Sequence, residues 1–139
     1  MMPGTAAALL VVTAMFRIAA AAETVRTLLV IEPTREYPRN SEGDIIELKD
    51  GRLCLVYTRF TGGASDDARA DIVARTSSDA GRTWTDDRIL VKNEGKDNTM
   101  SVSLLRLRSG ELLLFYLRKN GWNDCNLYVR RSADEFVTL

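Results

Sequence analysis

Two acidic residues and one arginine stand where they could do chemistry. Asp66 and Asp67 end a loop of small residues, Thr61-Gly62-Gly63-Ala64-Ser65-Asp66-Asp67. A carboxyl in such a loop can give and take a proton when a closed mouth partly buries it and raises its pKa. Arg39 follows the two prolines of the polar segment Glu32–Gly43, with Asn40 and Glu42 beside it. Its planar guanidinium stays charged and can hold a carboxylate with two parallel hydrogen bonds. The sequence has no histidine, only two cysteines and no Cys-x-x-Cys pair. The usual general base at neutral pH and the usual zinc ligands are therefore missing, and neither a metal nor another cofactor is expected. Basic and acidic residues balance at 19 each. They are interspersed, which argues against a nucleic-acid partner.

The elements that position these residues are read around one stretch, Ser77-Ser78-Asp79-Ala80-Gly81-Arg82-Thr83-Trp84. An alternating run, Ala70–Thr76, precedes it and a short apolar run, Ile89–Val91, follows, so the pattern predicts two antiparallel strands and a tight turn. Asp79 can accept backbone N–H groups across the turn, and Gly81 can take a positive φ. Ser77 and Thr83 add hydroxyls to the same network, and Trp84 offers a large ring to pin the turn to the sheet. Upstream, Thr27–Ile31 reads as a strand. Asp44–Leu48 and Leu53–Phe60 flank Asp50-Gly51, a hairpin signal in which both turn residues must tolerate positive φ. Ile45, Leu55, Val73 and Trp84 are expected to be buried.

The pattern then returns. Leu48-Lys49-Asp50-Gly51-Arg52-Leu53 matches Leu107-Arg108-Ser109-Gly110-Glu111-Leu112 at a spacing of 59 residues, and the same spacing pairs Tyr57 with Tyr116 and Arg59 with Arg118. Arg75–Asp79 matches Arg130–Asp134 at a spacing of 55, with Phe136 in the glycine position and Thr138 keeping the threonine. An all-β repeat of about four strands is the size of one β-propeller blade. Residues 23–139 are thus read as about one and three-quarter four-stranded blades of a β-propeller, an incomplete N-terminal part of a longer domain. In such a ring the segments entering the innermost strands, Tyr37–Gly43 and Gly95–Ser101, share a face with the Thr61–Asp67 loop. That face collects Arg39, Asn40, Glu42, Asp66, Asp67, Asn98 and Met100, and the Ser77–Trp84 turn lies at the opposite end. Tyr57 and Tyr116 read as core.

The turn pattern S-x-D-x-G-x-T-W resembles the Asp-box of the sialidase (BNR-repeat) family, and the resemblance runs from about Tyr37 to Thr138. In that family the box is structural, and the resemblance implies a six-bladed ring. The resemblance implies that Arg39 corresponds to the first of three arginines that clamp the substrate carboxylate, although the order here is Pro-Arg-Asn rather than Arg-Ile-Pro. It implies Asp66 as the general acid and base, with Asp67 as the rival, and Asn98–Ser101 as a pocket-lining stretch. The tyrosine nucleophile, its glutamate partner and the other two arginines belong to later blades. The implied activity is release of terminal sialic acid from glycans, with the present chain inactive alone. The alternative is a non-catalytic propeller that binds glycans or proteins, since Asp-boxes occur in both.

The first 22 residues read as a secretory signal peptide, an apolar run ending in Ala19-Ala20-Ala21-Ala22. The mature chain is accordingly expected to be secreted or periplasmic. Arg17 interrupts the run, which is too short for a transmembrane span. Export would permit a Cys54–Cys125 disulfide, which sequence alone neither makes nor excludes.

Overall fold

Period-two runs become strands here, and glycine-bearing turns fold each back on its neighbour. The computed structural model describes residues 25–139, so the signal-like segment 1–22 lies outside the described residues. Seven strands follow in order: β1 (Arg39–Glu47), β2 (Leu53–Thr61), β3 (Arg69–Ser77), β4 (Arg88–Val91), β5 (Asn98–Arg106), β6 (Leu112–Gly121) and β7 (Asp124–Ser132). The first four form an antiparallel meander in the order β1-β2-β3-β4, and the last three form a second meander, β5-β6-β7. There is no helix among the described residues.

The sequence repeat is reproduced bond for bond. In the first hairpin Leu48 N donates to Arg52 O at 2.7 Å and Gly51 N to Leu48 O at 2.9 Å. In the second, Leu107 N donates to Glu111 O at 2.8 Å and Gly110 N to Leu107 O at 2.9 Å. Gly51 and Gly110 take φ of 84° and 90°. Asp50 does not share that conformation. The connection is a right-handed turn closed by one left-handed glycine, not the two-residue loop expected, and Asp50 instead caps Arg52 N at 3.1 Å.

A second repeat was not legible in the residue types. The first strand of each sheet carries a bulge, between Ser41 and Gly43 in β1 and between Met100 and Ser103 in β5. The residues at positive φ are Glu42 (33°) and Ser101 (61°), 59 positions apart like the hairpins. A bulge frees a backbone group from the ladder and bends the strand. Here Ser101 N, so freed, donates to Thr58 Oγ1 of β2 at 3.0 Å, tying the second sheet to the first.

The two sheets pack face to face. Residues alternate across a strand, so Cys54, Val56, Ile72 and Ala74 point to one side of the first sheet. They meet Val102, Leu112, Leu114 and Tyr116 of the second, with Leu48, Val91 and Phe136 closing the ends. Burying each of these large side chains contributes about 1.5–3 kcal/mol. Polar ties register the sheets: Leu104 N donates to Asp44 Oδ2 at 2.7 Å, and Arg106 Nη2 to Glu47 O at 2.8 Å.

Three expectations need correction. Thr27–Ile31 is not a strand: it pairs with neither sheet. Of the four residues expected to be buried, only Val73 is fully so. Leu55 and Trp84 are half-buried, and Ile45, on the edge strand β1 and the face of the first sheet away from the second, is 51 % exposed. Finally, Arg39–Gly43 and Asn98–Ser101 are the bulged ends of β1 and β5 rather than loops entering them. The cysteines are unpaired: Cys54 lies in the core near one end of the strands, and Cys125 is exposed at the other, opposite Lys119. Burial pushes the Cys54 thiol up to about 11, which makes it unreactive at neutral pH.

Candidate functional site

The residues singled out for chemistry gather at the end of the sheets away from the hairpins. Arg39 opens β1 and lies with its guanidinium 4.3 Å from the centre of the Phe60 ring, which fixes its direction. Its Nη1 donates to Asp66 Oδ1 at 2.5 Å and to Ala64 O at 3.3 Å, and Nη2 reaches Glu42 Oε1 at 3.3 Å. The bulge at Glu42 turns that carboxylate toward Arg39, and Ser41 Oγ donates to its other oxygen. Arg39, Glu42 and Asp66 thus form one charged cluster, built from the end of β1 and the β2–β3 loop.

The loop carrying Asp66 is held from below by the second sheet. Asn98 is fully buried, and its Nδ2 donates to Asp66 O at 2.7 Å and Ala68 O at 3.0 Å. Its Oδ1 has no partner among the described residues. Lys119 Nζ donates to Asp66 O at 2.9 Å and to Asp67 Oδ1 at 2.6 Å. The hydrogen bond to Asp67 raises the lysine pKa against the effect of desolvation, so the ammonium stays charged. Gly95 is required at the same place: a β-carbon there would lie 2.3 Å from both Asn98 O and Lys119 O. Asp67 therefore anchors the loop, and Asp66 stands above it.

Asn40 and Met100 stand apart. Asn40 points to the other face of β1, where its Nδ2 meets Ile31 O at 3.4 Å. Met100 is half-buried beside the bulge of β5, paired with Leu117. Sequence reasoning missed Lys119, though a signal existed. At the repeat spacing Lys119 falls on Phe60, so a charged residue occupies an apolar position. Trp122, 77 % exposed in the β6–β7 hairpin with its ring 4.1 Å from Lys119 Nζ, was missed as well.

Electrostatics correct one expectation. Asp66 is not enclosed, since more than half its side chain is exposed. The hydrogen bond and charge of Arg39 hold its carboxyl below the usual carboxylate range rather than above it. As it stands, Asp66 is a base paired to a cation.

The Ser77–Trp84 turn lies at the far end. Ser77 Oγ donates to Asp79 Oδ1 at 2.8 Å and accepts Gly81 N at 2.9 Å. Asp79 accepts Thr83 N at 2.9 Å and Thr83 Oγ1 at 2.7 Å, and Trp84 Nε1 donates to Gly81 O at 3.0 Å. The Thr83 bonds and Ser77 bring the Asp79 pKa down to about 2. The second copy repeats this network: Ser132 Oγ to Asp134 at 2.8 Å, Phe136 N to Ser132 Oγ at 2.8 Å, and Thr138 N and Oγ1 to Asp134 at 3.0 and 2.7 Å. Phe136 holds φ 63° where the first copy has glycine, and its ring is buried between the sheets. A cavity of about 340 Å³ opens at this end, lined by Leu48, Arg52, Cys54, Thr76, Arg88, Glu135 and Val137. None of the residues singled out for chemistry lines it.

A second polar cluster lies on the open face of the first sheet. Tyr57 Oη, Arg59 Nη1 and Arg75 Nε all donate to Asp87, at 2.7, 3.0 and 2.6 Å. Burial opposes ionisation of Asp87, but these three donors outweigh it and leave its pKa lowered. Burial and the Asp87 bond push the Tyr57 phenol up to about 12. At the repeat-equivalent positions Tyr116 and Arg130 meet Glu94 between the sheets: Tyr116 Oη donates to Glu94 at 2.9 Å, and Arg130 donates to Glu94 and, at 3.2 Å, to Tyr116 Oη. Both tyrosines are neutral structural donors.

With fold and site described, the chain can be set beside known proteins. No family model matches it, and no curated protein is similar to it in sequence. Among solved structures it is similar to a protein of unknown function from Dyadobacter fermentans, with a TM-score of 0.66 and 19% identity over 79% of this chain and 37% of that one. It is also similar to the Hadza microbial sialidase Hz136, with a TM-score of 0.61 and 17% identity over 74% of this chain and 25% of that one. The chain thus spans well under half the length of either. At these identities the likeness is one of fold: an all-β, antiparallel architecture, with a propeller-like form suggested by the sialidase.

Proposed function

We propose that this chain is the N-terminal part of an exported, sialidase-like glycosidase. It supplies the first two blades of the propeller and one corner of a site for a terminal sialic acid. The observation that carries the reading is the Arg39–Asp66 contact. Two residues selected separately from the sequence, 27 positions apart, meet at the end of the sheets opposite the Asp-box turns. The fold likeness to a sialidase supports the same reading.

The geometry suggests how the pair works. A substrate carboxylate competes with Asp66 for Arg39, because both present the same two oxygens to one guanidinium. Once displaced, Asp66 loses the charge that depresses its pKa, and the arriving anion raises it further. Substrate binding thereby turns a paired base into an acid able to protonate the leaving oxygen. A tyrosine from a later blade attacks the anomeric carbon. Asn98 and Lys119 hold the backbone of the loop so that the exchange moves the side chain alone.

The test is made on the complete protein. Arg39→Lys keeps the charge and loses the fork, and is expected to raise KM for a sialoside about tenfold or more, equivalent to about 1.4 kcal/mol. An unchanged KM would remove Arg39 from the clamp. The non-catalytic reading draws on the same salt bridge, which leaves Asp66 ionised until something displaces it. That reading predicts sialoside binding without turnover.

A further inference from the structure

Two adjacent aspartates share the candidate site, and their cations differ in access. Asp66 pairs with Arg39, which also reaches Glu42 and keeps 26 % of its side chain open to solvent. Asp67 pairs with Lys119 at 2.6 Å, and only 4 % of that side chain is exposed. The carboxylates themselves are alike in exposure, at 55 % and 50 %, so they do not decide the matter. The partners do. An anion arriving from solvent can reach the guanidinium of Arg39 and not the ammonium of Lys119.

The surroundings of Lys119 show what closes it off. An ammonium carries three N–H donors. Nζ gives one to Asp66 O at 2.9 Å and one to Asp67 Oδ1 at 2.6 Å. Its third partner is the Trp122 ring, whose centre lies 4.1 Å away, within cation–π range. The hairpin that presents this ring is itself fixed. Lys96 N donates to Asn120 Oδ1 at 2.9 Å, and Asn120 and Asn126 both donate to Asp124, at 2.9 and 2.7 Å. Trp122 is thus held over a buried charge.

A cation beside a carboxyl favours its ionised form, so the group must shed that cation before it can give a proton. We infer that Lys119, roofed by Trp122, selects the acid: it commits Asp67 to the loop and leaves Asp66 as the one of the pair that a substrate carboxylate can release. Lys119 acts through the two aspartates and is a positioning residue, and Asp67 is a latent acid that removal of the lysine sets free. The acid role rests on the sialidase-like reading proposed above, whereas the unequal exchange of the two carboxylates rests on the geometry alone. Asn98 keeps its bonds to Asp66 O and Ala68 O without the lysine, so the loop stays anchored when Lys119 is replaced.

The complete protein is tested with two readouts. In the first, acetate is titrated in while NMR follows the side-chain carboxyl carbons of Asp66 and Asp67. In the unaltered protein Asp66 should shift and Asp67 should not, and in Trp122→Ala, where the roof is gone, both should shift. Movement of both or of neither in the unaltered protein, or a still Asp67 in Trp122→Ala, would overturn the inference. The second readout is kcat/KM on a natural sialoside. Asp66→Asn should cost about a hundredfold in the unaltered background but under about tenfold beside Lys119→Met, because the freed Asp67 supplies the proton. Adding Asp67→Asn to that pair should restore the full loss. A merely structural lysine would make the double variant worse, not better, so an equal or larger loss beside Lys119→Met would overturn the selection. A complete protein that turns over no sialoside would refute the sialidase reading, and with it the acid role, while the acetate titration still decides the unequal exchange.

Discussion

At the scale of single residues, the box turns show how a few side chains replace a ladder. Ser77 is buried and serves as both donor and acceptor in its turn. Ser77→Ala should therefore destabilise the chain by about 1–3 kcal/mol, as expected for stranding buried partners. Urea unfolding measures this. Ligand affinity of the molecules that stay folded should not change, because the turn is at the wrong end. Phe136 is a sharper case, since its positive φ costs about 1–2 kcal/mol while its ring fills the gap between the sheets. Emptying such a site costs about 3–5 kcal/mol, so Phe136→Gly should be a net loss of about 1–4 kcal/mol. A stabilised variant would mean that strain dominates there. Titration adds an independent check. Asp79 and Asp134 have folded pKa values of about 2, below the ordinary 3.8. Depressed carboxylates stabilise the fold fully above the unfolded value and lose that contribution as pH falls through the folded one. Tm should thus fall between about pH 4 and about pH 2, less steeply in Asp79→Asn. An equally steep fall in that variant would contradict the assignment.

At the scale of elements, the hairpins and the repeat were legible because they depend on local signals: alternation, Asp-Gly or Ser-Gly at the turn, and hydroxyl and carboxyl residues in the box. What was not legible depends on partners. Thr27–Ile31 has the composition of a strand, but a strand exists only where an edge receives it. Ile45 has the pattern of a core residue, but the face it points to has no second sheet. The residues that take positive φ in the bulges, Glu42 and Ser101, are not glycines and so do not announce them. Lys119 stands out in the sequence only as a charge at an apolar repeat position, and its partners on the Asp66 loop needed the geometry. Arg39 and Asp66 could be chosen from the sequence, but their mutual ion pair, which reverses the direction of the aspartate's pKa, needed the geometry. The face logic gives a direct prediction. Leu114→Ala, between the sheets, should cost about 2–5 kcal/mol, whereas Leu105→Lys, on the open face, should cost under about 0.5 kcal/mol. Comparable losses in thermal unfolding would mean the two faces had been misassigned.

At the scale of the molecule, the proposed reading gives the two packed sheets one corner of a site. Arg39 offers one guanidinium to a carboxylate, and Tyr57 and Tyr116, which donate to Asp87 and Glu94, are structural donors with raised pKa values. The 139-residue chain should therefore turn over no sialoside, and turnover by a pure preparation would show a site that these residues do not explain. The central claim is that Asp66, freed from Arg39 by the substrate, is the acid that protonates the leaving group. The most direct measurement compares Asp66→Asn with the unaltered complete protein on a natural sialoside and on an activated aryl sialoside. The poor leaving group needs the proton and the good one does not. The account predicts a loss of kcat/KM of about a hundredfold or more on the natural substrate and a much smaller loss on the aryl one. Equal losses on both would contradict it.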